Sequence, residues 1–331
     1  MTAKRTKRQH IVPRTYLKHF AVKRGKECFI TAYSKGKPHS QLYEPNISGV
    51  CVRTDFYTIP GETIEQQLEI ETLYSRRLED HYDLVYNLLV NPTKIFLSEG
   101  ERAFIIATLT TMLFRAPRWI EGHNQAIAEY LAAYYKQCVL LGVDGSFLGK
   151  FYFDHRQETL SEVVARFDLF IKRDQHYDML ELALQLQQQK LKDSAISVIK
   201  LQAGSCQLLC SDNPVIVVAA DEHNHPLNSD ADILLPLDGK HLLYLHAHVK
   251  QSTPYINRQL LTGDQARMRC LSVNWRQYHN AAKQLLGSRV GLEHYLQRHG
   301  LLNQPVNQHR KQEALYNDEL AIGIYKELGV L

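Results

Sequence analysis

Two apolar rhythms alternate along this chain of 331 residues. Short apolar runs bounded by turn formers, which is how buried strands read, cover residues 29–33 and 50–59 and return at 196–201, 207–210, 215–219, 233–237 and 241–248. Between the two blocks the spacing widens to three and four, the rhythm of one helix face. Residues 63–90 carry it at Ile64, Leu68, Leu78, Tyr82, Val85 and Leu89, which predicts one long helix capped by Thr63 and broken at Asn91 and Pro92. Glu71 and Ser75 fall inside that stripe. The next helix opens on Ser98 with Glu101 three residues on, a capping box, and its uncharged run over 103–114 predicts burial on most sides. Amphipathic helices are also predicted over 125–141, over 160–189 with a division near Asp174, and over 262–286, 292–299 and 308–328.

Gly204 with Ser205, and Asp238 to Lys240, separate successive strand runs and predict hairpins, so the sheet should be largely antiparallel. The N-terminal strands are expected to join it, since two or three alone would be marginal. The expected fold is α+β. A mixed or largely antiparallel sheet, built from the N-terminal strands and residues 196–248, packs against a helical layer at 62–190 and is closed by C-terminal helices. In domain terms this gives a basic arm over 1–8, a single α+β domain over 9–300 and a helical extension over 301–331.

The stretch around which the pattern is organised is 207–218, an apolar run, the polar break Ser211, Asp212, Asn213 and Pro214, and a second apolar run. Asp and Asn can bond their own backbone and Pro214 keeps Asn213 out of the helical region, so a carboxylate and an amide are fixed at a sharp corner. Asp212 fits an Asx turn; polar groups fixed at strand ends are also where sites tend to be found.

With 44% hydrophobic residues the chain can bury a substantial core. No apolar run approaches the roughly 20 residues of a membrane helix, and the basic N-terminus has no apolar segment behind it, so no membrane partner is expected and the chain reads as cytoplasmic. The six cysteines are dispersed and read as free buried thiols; Cys206 and Cys210 share a strand face without a second pair to complete a zinc set. Charge changes the picture more. The first 26 residues hold nine Lys or Arg and no acid, which leaves 30 basic against 35 acidic residues in the remainder. Such an arm can solubilise, or contact the phosphates of a nucleic acid.

Gln9, His10, Val12, Pro13, Tyr16, Leu17, Phe20 and Ala21 form an opening that resembles a bacterial family catalogued as domain of unknown function 4238. The resemblance continues through Ile70 and Glu71, through Phe114, Arg115, Ala116 and Pro117, and through Ser211 to Val215. It extends to Leu235, Pro236 and Leu237 and to Asn274 and Ala281, and so covers roughly residues 9–290. Ala116 departs from it, standing where a polar residue such as Thr is implied. The resemblance implies organisation and carries no activity.

Several residues could carry chemistry. Arg115 ends the buried helix on the row of Ile105, Thr108 and Met112, and could pair with Glu71 or face a bound anion. His10, held by an anchored segment, could act as general acid or base. Asn274 could hydrogen-bond a ligand, make an amide hydrogen bond in the core, or face solvent. His246 and His248 alternate along a strand and with Asp212 could hold a divalent metal, whereas His223 and His225 lie in a polar loop. The nucleophile elbow, phosphate-cradling glycine loop, zinc-protease and dinucleotide motifs are missing from the sequence. Two readings remain. One is a nucleic-acid-acting phosphodiester hydrolase in which His10 moves the proton, Asp212 holds a metal or water, Asn213 orients substrate, and Arg115 faces phosphate. The other is a non-catalytic module that binds nucleic acid or an acidic partner through its basic arm. A pocket shared by His10, Glu71, Arg115 and Asp212 would favour the first; core hydrogen bonds at each would favour the second.

Overall fold

The computed structural model describes residues 8–36, 41–204, 206–218, 226–227, 230–247 and 254–302. Residues 1–7 of the basic arm, His223, His225, His248 and the helix expected over 308–328 lie outside them. The chain opens with strand β1 (Arg8–His10), the short helix α1 (Arg14–Leu17) and strands β2 (Val22–Arg24), β3 (Glu27–Phe29), β4 (Thr31–Ser34) and β5 (Val52–Thr54). Helices α2 (Ile64–Gln67), α3 (Glu69–Tyr74), α4 (Tyr82–Val90), α5 (Glu99–Phe114) and α6 (Pro117–Leu141) follow, then the hairpin of β6 (Ser146–Leu148) and β7 (Phe151–Phe153) and helix α7 (Leu160–Asp193). Strands β8 (Ala195–Gln202), β9 (Cys210–Ser211), β10 (Ile216–Val218), β11 (Asp232–Pro236), β12 (His241–His246) and β13 (Ile256–Thr262) come next. Helix α8 (Gly263–Asn280), strand β14 (Gln284–Gly287) and helix α9 (Arg289–Arg298) complete the described chain.

The fold is α+β with mostly antiparallel pairing, as expected from the short connections. The main sheet has the order β10-β11-β12-β8-β13 and is antiparallel except where β13 runs parallel to β8. β8 is paired on both sides, and Ile196 to Ile199 are all buried, which is why it reads as an apolar run and not as an alternation. The N-terminal strands do not join this sheet, in which β13 fills the far side of β8, and take other partners. β1 pairs with β5, while β4 pairs with β14, which in turn pairs with β9. Asp238 to Lys240 does close a hairpin: Asp238 Oδ1 accepts from Lys240 N and His241 N at 2.7 and 2.8 Å. Gly204 does not, since β8 and β9 belong to different sheets.

The helix expected over 63–90 is broken. Thr63 forms its capping box with Gln66, and the chain leaves helical geometry at Asn91, but Ser75–Glu79 is a π-helical segment between α3 and α4. Ile70, Tyr74, Leu78 and Tyr82 are buried at a strict spacing of four, which overruns a turn of 3.6 residues; the wider π turn keeps them on one face. α5 has the predicted capping box at Ser98 and is buried along most of its length. α6 starts at Pro117, eight residues before the amphipathic pattern becomes clear, with proline in the first turn where its missing N–H costs nothing.

α7 runs unbroken through Asp174, and its sequence contains no Gly or Pro to divide it. What changes there is the neighbourhood: Val163, Phe167 and Ile171 pack with α6 and the β6–β7 hairpin, whereas Met179, Leu180, Ala183 and Leu186 join the main core. His176 lies at the changeover, fully buried, with Nε2 donating to the Phe56 carbonyl at 3.1 Å. Burial pushes its pKa down to about 4, and among the described residues Nδ1 has no partner to receive a second proton's charge. The unfolded chain binds that proton near pH 6.5. The corresponding stability, about 3 kcal/mol, is therefore complete above pH 6.5 and is lost as the pH falls towards 4. His176→Gln is expected to flatten the acid limb of a curve of urea midpoint against pH; an acid limb as steep as the parent's would contradict this.

Candidate functional site

The Ser211 to Val215 corner carries the chain from one sheet to the other, and it is held by a ladder of amides on α8. Asn274, Gln277 and Asn280 are three residues apart and share a helix face. Asn274 accepts from Leu209 N at 2.9 Å and donates to Gln207 O at 2.8 Å. Gln277 accepts from Ser211 Oγ at 2.7 Å and donates to the Pro214 carbonyl. Asn280 donates to the carbonyls of Asn213 and Val215 at 2.6 and 2.9 Å, and Asn213 Nδ2 donates back to Asn280 Oδ1 at 3.1 Å.

Asp212 completes this clamp. Its Oδ1 accepts from Ala282 N at 2.9 Å, and its Oδ2 from Lys283 N and Gln284 N at 2.8 and 3.2 Å. The carboxylate thus organises main chain some seventy residues downstream instead of an Asx turn of its own. Burial raises the pKa of the Asp212 carboxyl, against the three N–H donors and Arg53, which favour the ionised form.

Arg115 sits in a second polar knot. It is 2% exposed, with its guanidinium carbon 5.3 Å from the Tyr57 ring centroid and 5.0 Å from that of Tyr74, a cation–π cage. Nη2 donates to the His10 carbonyl, Nε donates to Tyr57 Oη at 3.3 Å, and that hydroxyl donates to the Arg115 carbonyl at 3.0 Å. The ion partner is Glu79, at 3.9 Å, and not Glu71 as the helix row suggested. Glu71 instead accepts from Gln9 Nε2 at 2.8 Å. Glu71, Ser75 and Glu79 recur every four residues beside the buried row, and the π turn leaves Glu79 at the guanidinium. Burial raises the Glu71 pKa, while burial of Arg115 is more than offset by Tyr57 and Glu79, which hold the guanidinium charged.

Gln9 is the organising residue that the sequence reading passed over. Fully buried, it accepts from Tyr57 N at 2.6 Å and donates to Thr58 Oγ1 at 3.0 Å as well as to Glu71. Its signal was available, since it stands beside His10 in the opening motif. His10 contributes its carbonyl to Arg115, and its ring pKa is lowered to about 4 by burial and by Arg14 and Arg115, with main-chain groups of Ile47 and Ser48 opposing.

The candidate residues therefore fall into two groups. Asp212, Asn213 and Asn274 are brought together by α8; His10, Glu71 and Arg115 are brought together by Gln9 and Tyr57. The hydrogen bonds join no member of one group to a member of the other among the described residues. His246, expected on a metal-binding face, bonds Ser197 Oγ at 2.7 Å and stacks on Tyr244, and among the described residues three His, Cys, Asp or Glu side chains nowhere gather in a metal-binding group. All six cysteines are free, and burial raises the Cys51 and Cys210 thiols, so neither is a ready thiolate.

Three clefts adjoin the two knots. One of about 490 Å³ is lined by Asp212 with Lys35, Arg53, Lys283, Tyr43 and Gln284. A second, of about 450 Å³, has Arg14, Lys18 and Lys26 with Glu27 and Glu79. A third, of about 230 Å³, has Arg118 and Arg276 with Trp119 and Trp275. Chain neighbours link them: Ser48 lines the second cleft and Gly49 the first, and Asn280, in the third, is followed within three residues by Lys283 in the first.

An α+β chain with two buried polar knots and a basic groove system is what the geometry defines. The chain belongs to the family described as "Protein of unknown function (DUF4238)", whose family model matches residues 8–289 and so takes in every one of the residues above. No curated protein and no solved structure matches the chain.

Proposed function

We propose that the chain is a nucleic-acid-binding module that grips the sugar-phosphate backbone along the three adjoining clefts, with the Asp212 and Arg115 knots as framework. The observation that carries this reading is the charge of the tract. Eight lysines and arginines line the three clefts against three carboxylates; outside the first 26 residues the clefts still hold five to three, where that part of the chain has 30 bases to 35 acids. Lys4, Arg5 and Lys7 precede β1 in sequence. Cations lining clefts whose walls include chain neighbours suit a polyanion whose bound counterions are released on contact.

Hydrolysis is the weaker of the two readings on the same observations. Both Asp212 oxygens already accept main-chain N–H groups, and His10 shares no hydrogen bond with that corner among the described residues. Reversing Arg14, Lys26 and Lys283 to Glu tests the binding reading, because these side chains are exposed and lie in two of the clefts. Anisotropy with a labelled single strand should show affinity down about 10-fold or more at low salt, and the slope of log K against log salt smaller by about 2. Unchanged affinity and slope would overturn the reading. Strand cleavage that survives purification and disappears in a folded Asp212→Asn protein would replace it with the hydrolase.

A further inference from the structure

The third cleft differs from the other two in its walls. The chain has two tryptophans, and both line it: Trp119 in the first turn of α6 and Trp275 in the middle of α8. Val215, Ile216 and Val217 form a further wall. β10 is an outer strand of the main sheet, with β11 its sole strand partner among the described residues, so one edge of its main chain faces away from the sheet. Arg118, Arg276 and His279 line the same cleft, and none of its lining residues is a carboxylate. The imidazole of His279 lies 4.3 Å from the Trp275 ring, with Nδ1 donating to the Trp275 carbonyl at 2.8 Å. Trp275 Nε1 is shielded from solvent and has no acceptor among the described residues, an orphan donor of the kind a ligand can satisfy.

The size fits one ring system. About 230 Å³ is below the roughly 300–1,000 Å³ of sites for drug-sized ligands. Indole faces attract planar aromatic rings whatever their substituents, guanidinium groups attract phosphate, and an open strand edge offers N–H and C=O groups to the rim of a base.

We propose that this cleft is a nucleobase slot: one unpaired base of a single-stranded nucleic acid enters beside Trp119 and Trp275, and Arg118 and Arg276 hold the phosphates flanking it. The slot rests on the backbone-binding reading and narrows it, because a base can enter only where it is not already paired and stacked in a duplex. Arg118 is steered towards the cleft by its hydrogen bond to Asn280 Oδ1, so the amide that clamps the Asn213 corner also positions the slot's cation.

Because both tryptophans line the slot, indole emission reports on it directly. The purified full chain is titrated with a single-stranded oligodeoxynucleotide, with an abasic strand of the same sugar-phosphate length, and with the matching duplex. Anisotropy of a label on each strand and indole emission are read together. The intact single strand should quench the emission and bind about 10-fold tighter than the abasic strand, the worth of one stacked base. Trp275→Leu should close that gap, and Trp119→Leu, which leaves one reporter, should still show quenching by the intact strand. If intact and abasic strands bind equally in a salt-dependent way and the emission does not change, the slot is overturned and backbone binding stands. If no strand binds at any salt concentration, both fail.

Discussion

Arg115→Met is expected to cost about 3 to 5 kcal/mol, the range for breaking a buried charged contact from one side. The methionine would leave the His10 carbonyl and the Tyr57 hydroxyl without their donor, Glu79 without its countercharge, and two tyrosine faces without the cation between them. Arg115→Lys should recover little of this. A single ammonium cannot serve the His10 carbonyl and Tyr57 Oη in the plane of one guanidinium while lying between two rings. Urea unfolding of both variants beside the parent checks the expectation; a loss under about 1 kcal/mol for the methionine variant would mean that the cage is dispensable.

The second large effect concerns Asp212. Asp212→Ala strands three main-chain N–H groups at residues 282–284, and Asp212→Asn turns an amide NH₂ towards donors that had been facing a carboxylate. Both should destabilise by about 2 to 4 kcal/mol, since donors left without an acceptor cost about 1 to 3 kcal/mol each when buried and less when, as at Lys283, water can reach them. Thermal unfolding of the two variants should give similar shifts. An Asp212→Asn protein as stable as the parent would return Asp212 to the list of groups available for chemistry. The practical result is that lost activity in this variant means little until its folding has been measured.

Local signals in the sequence were read well, and long-range pairings were not. The cap at Thr63 and the capping box at Ser98 depend on a few adjacent residues and formed as expected. The corner at Asp212 was located because Ser, Asp, Asn and Pro interrupt two apolar runs, but its acceptor role depends on residues 282–284, which nothing near it in sequence announces. Asn274 was singled out while Gln277 and Asn280 were not, although polar residues three apart on an otherwise apolar helix face could have been recognised as a ladder. On one regular helix Glu71 is a candidate partner for Arg115; the π turn puts Glu79 in that place. The partition of strands into separate sheets was illegible for a simpler reason. β4 and β9 meet only through β14, and a two-body reading of neighbouring strands cannot show a third strand between them.

That β14 strand has a consequence for how the chain must be made. The segment over 207–215 and the edge of strand β4 that faces away from Tyr43, near the other end of the chain, wait for residues 274–287 before these hydrogen bonds can close. A chain emerging from the ribosome carries them exposed until almost the whole length of the matched family region has been synthesised, and contacts so distant in sequence form late and slowly. Release of a chain that stops short of β14 would therefore yield an unsealed edge and a corner without its clamp, a product for chaperones or proteases and not a smaller working version of the protein.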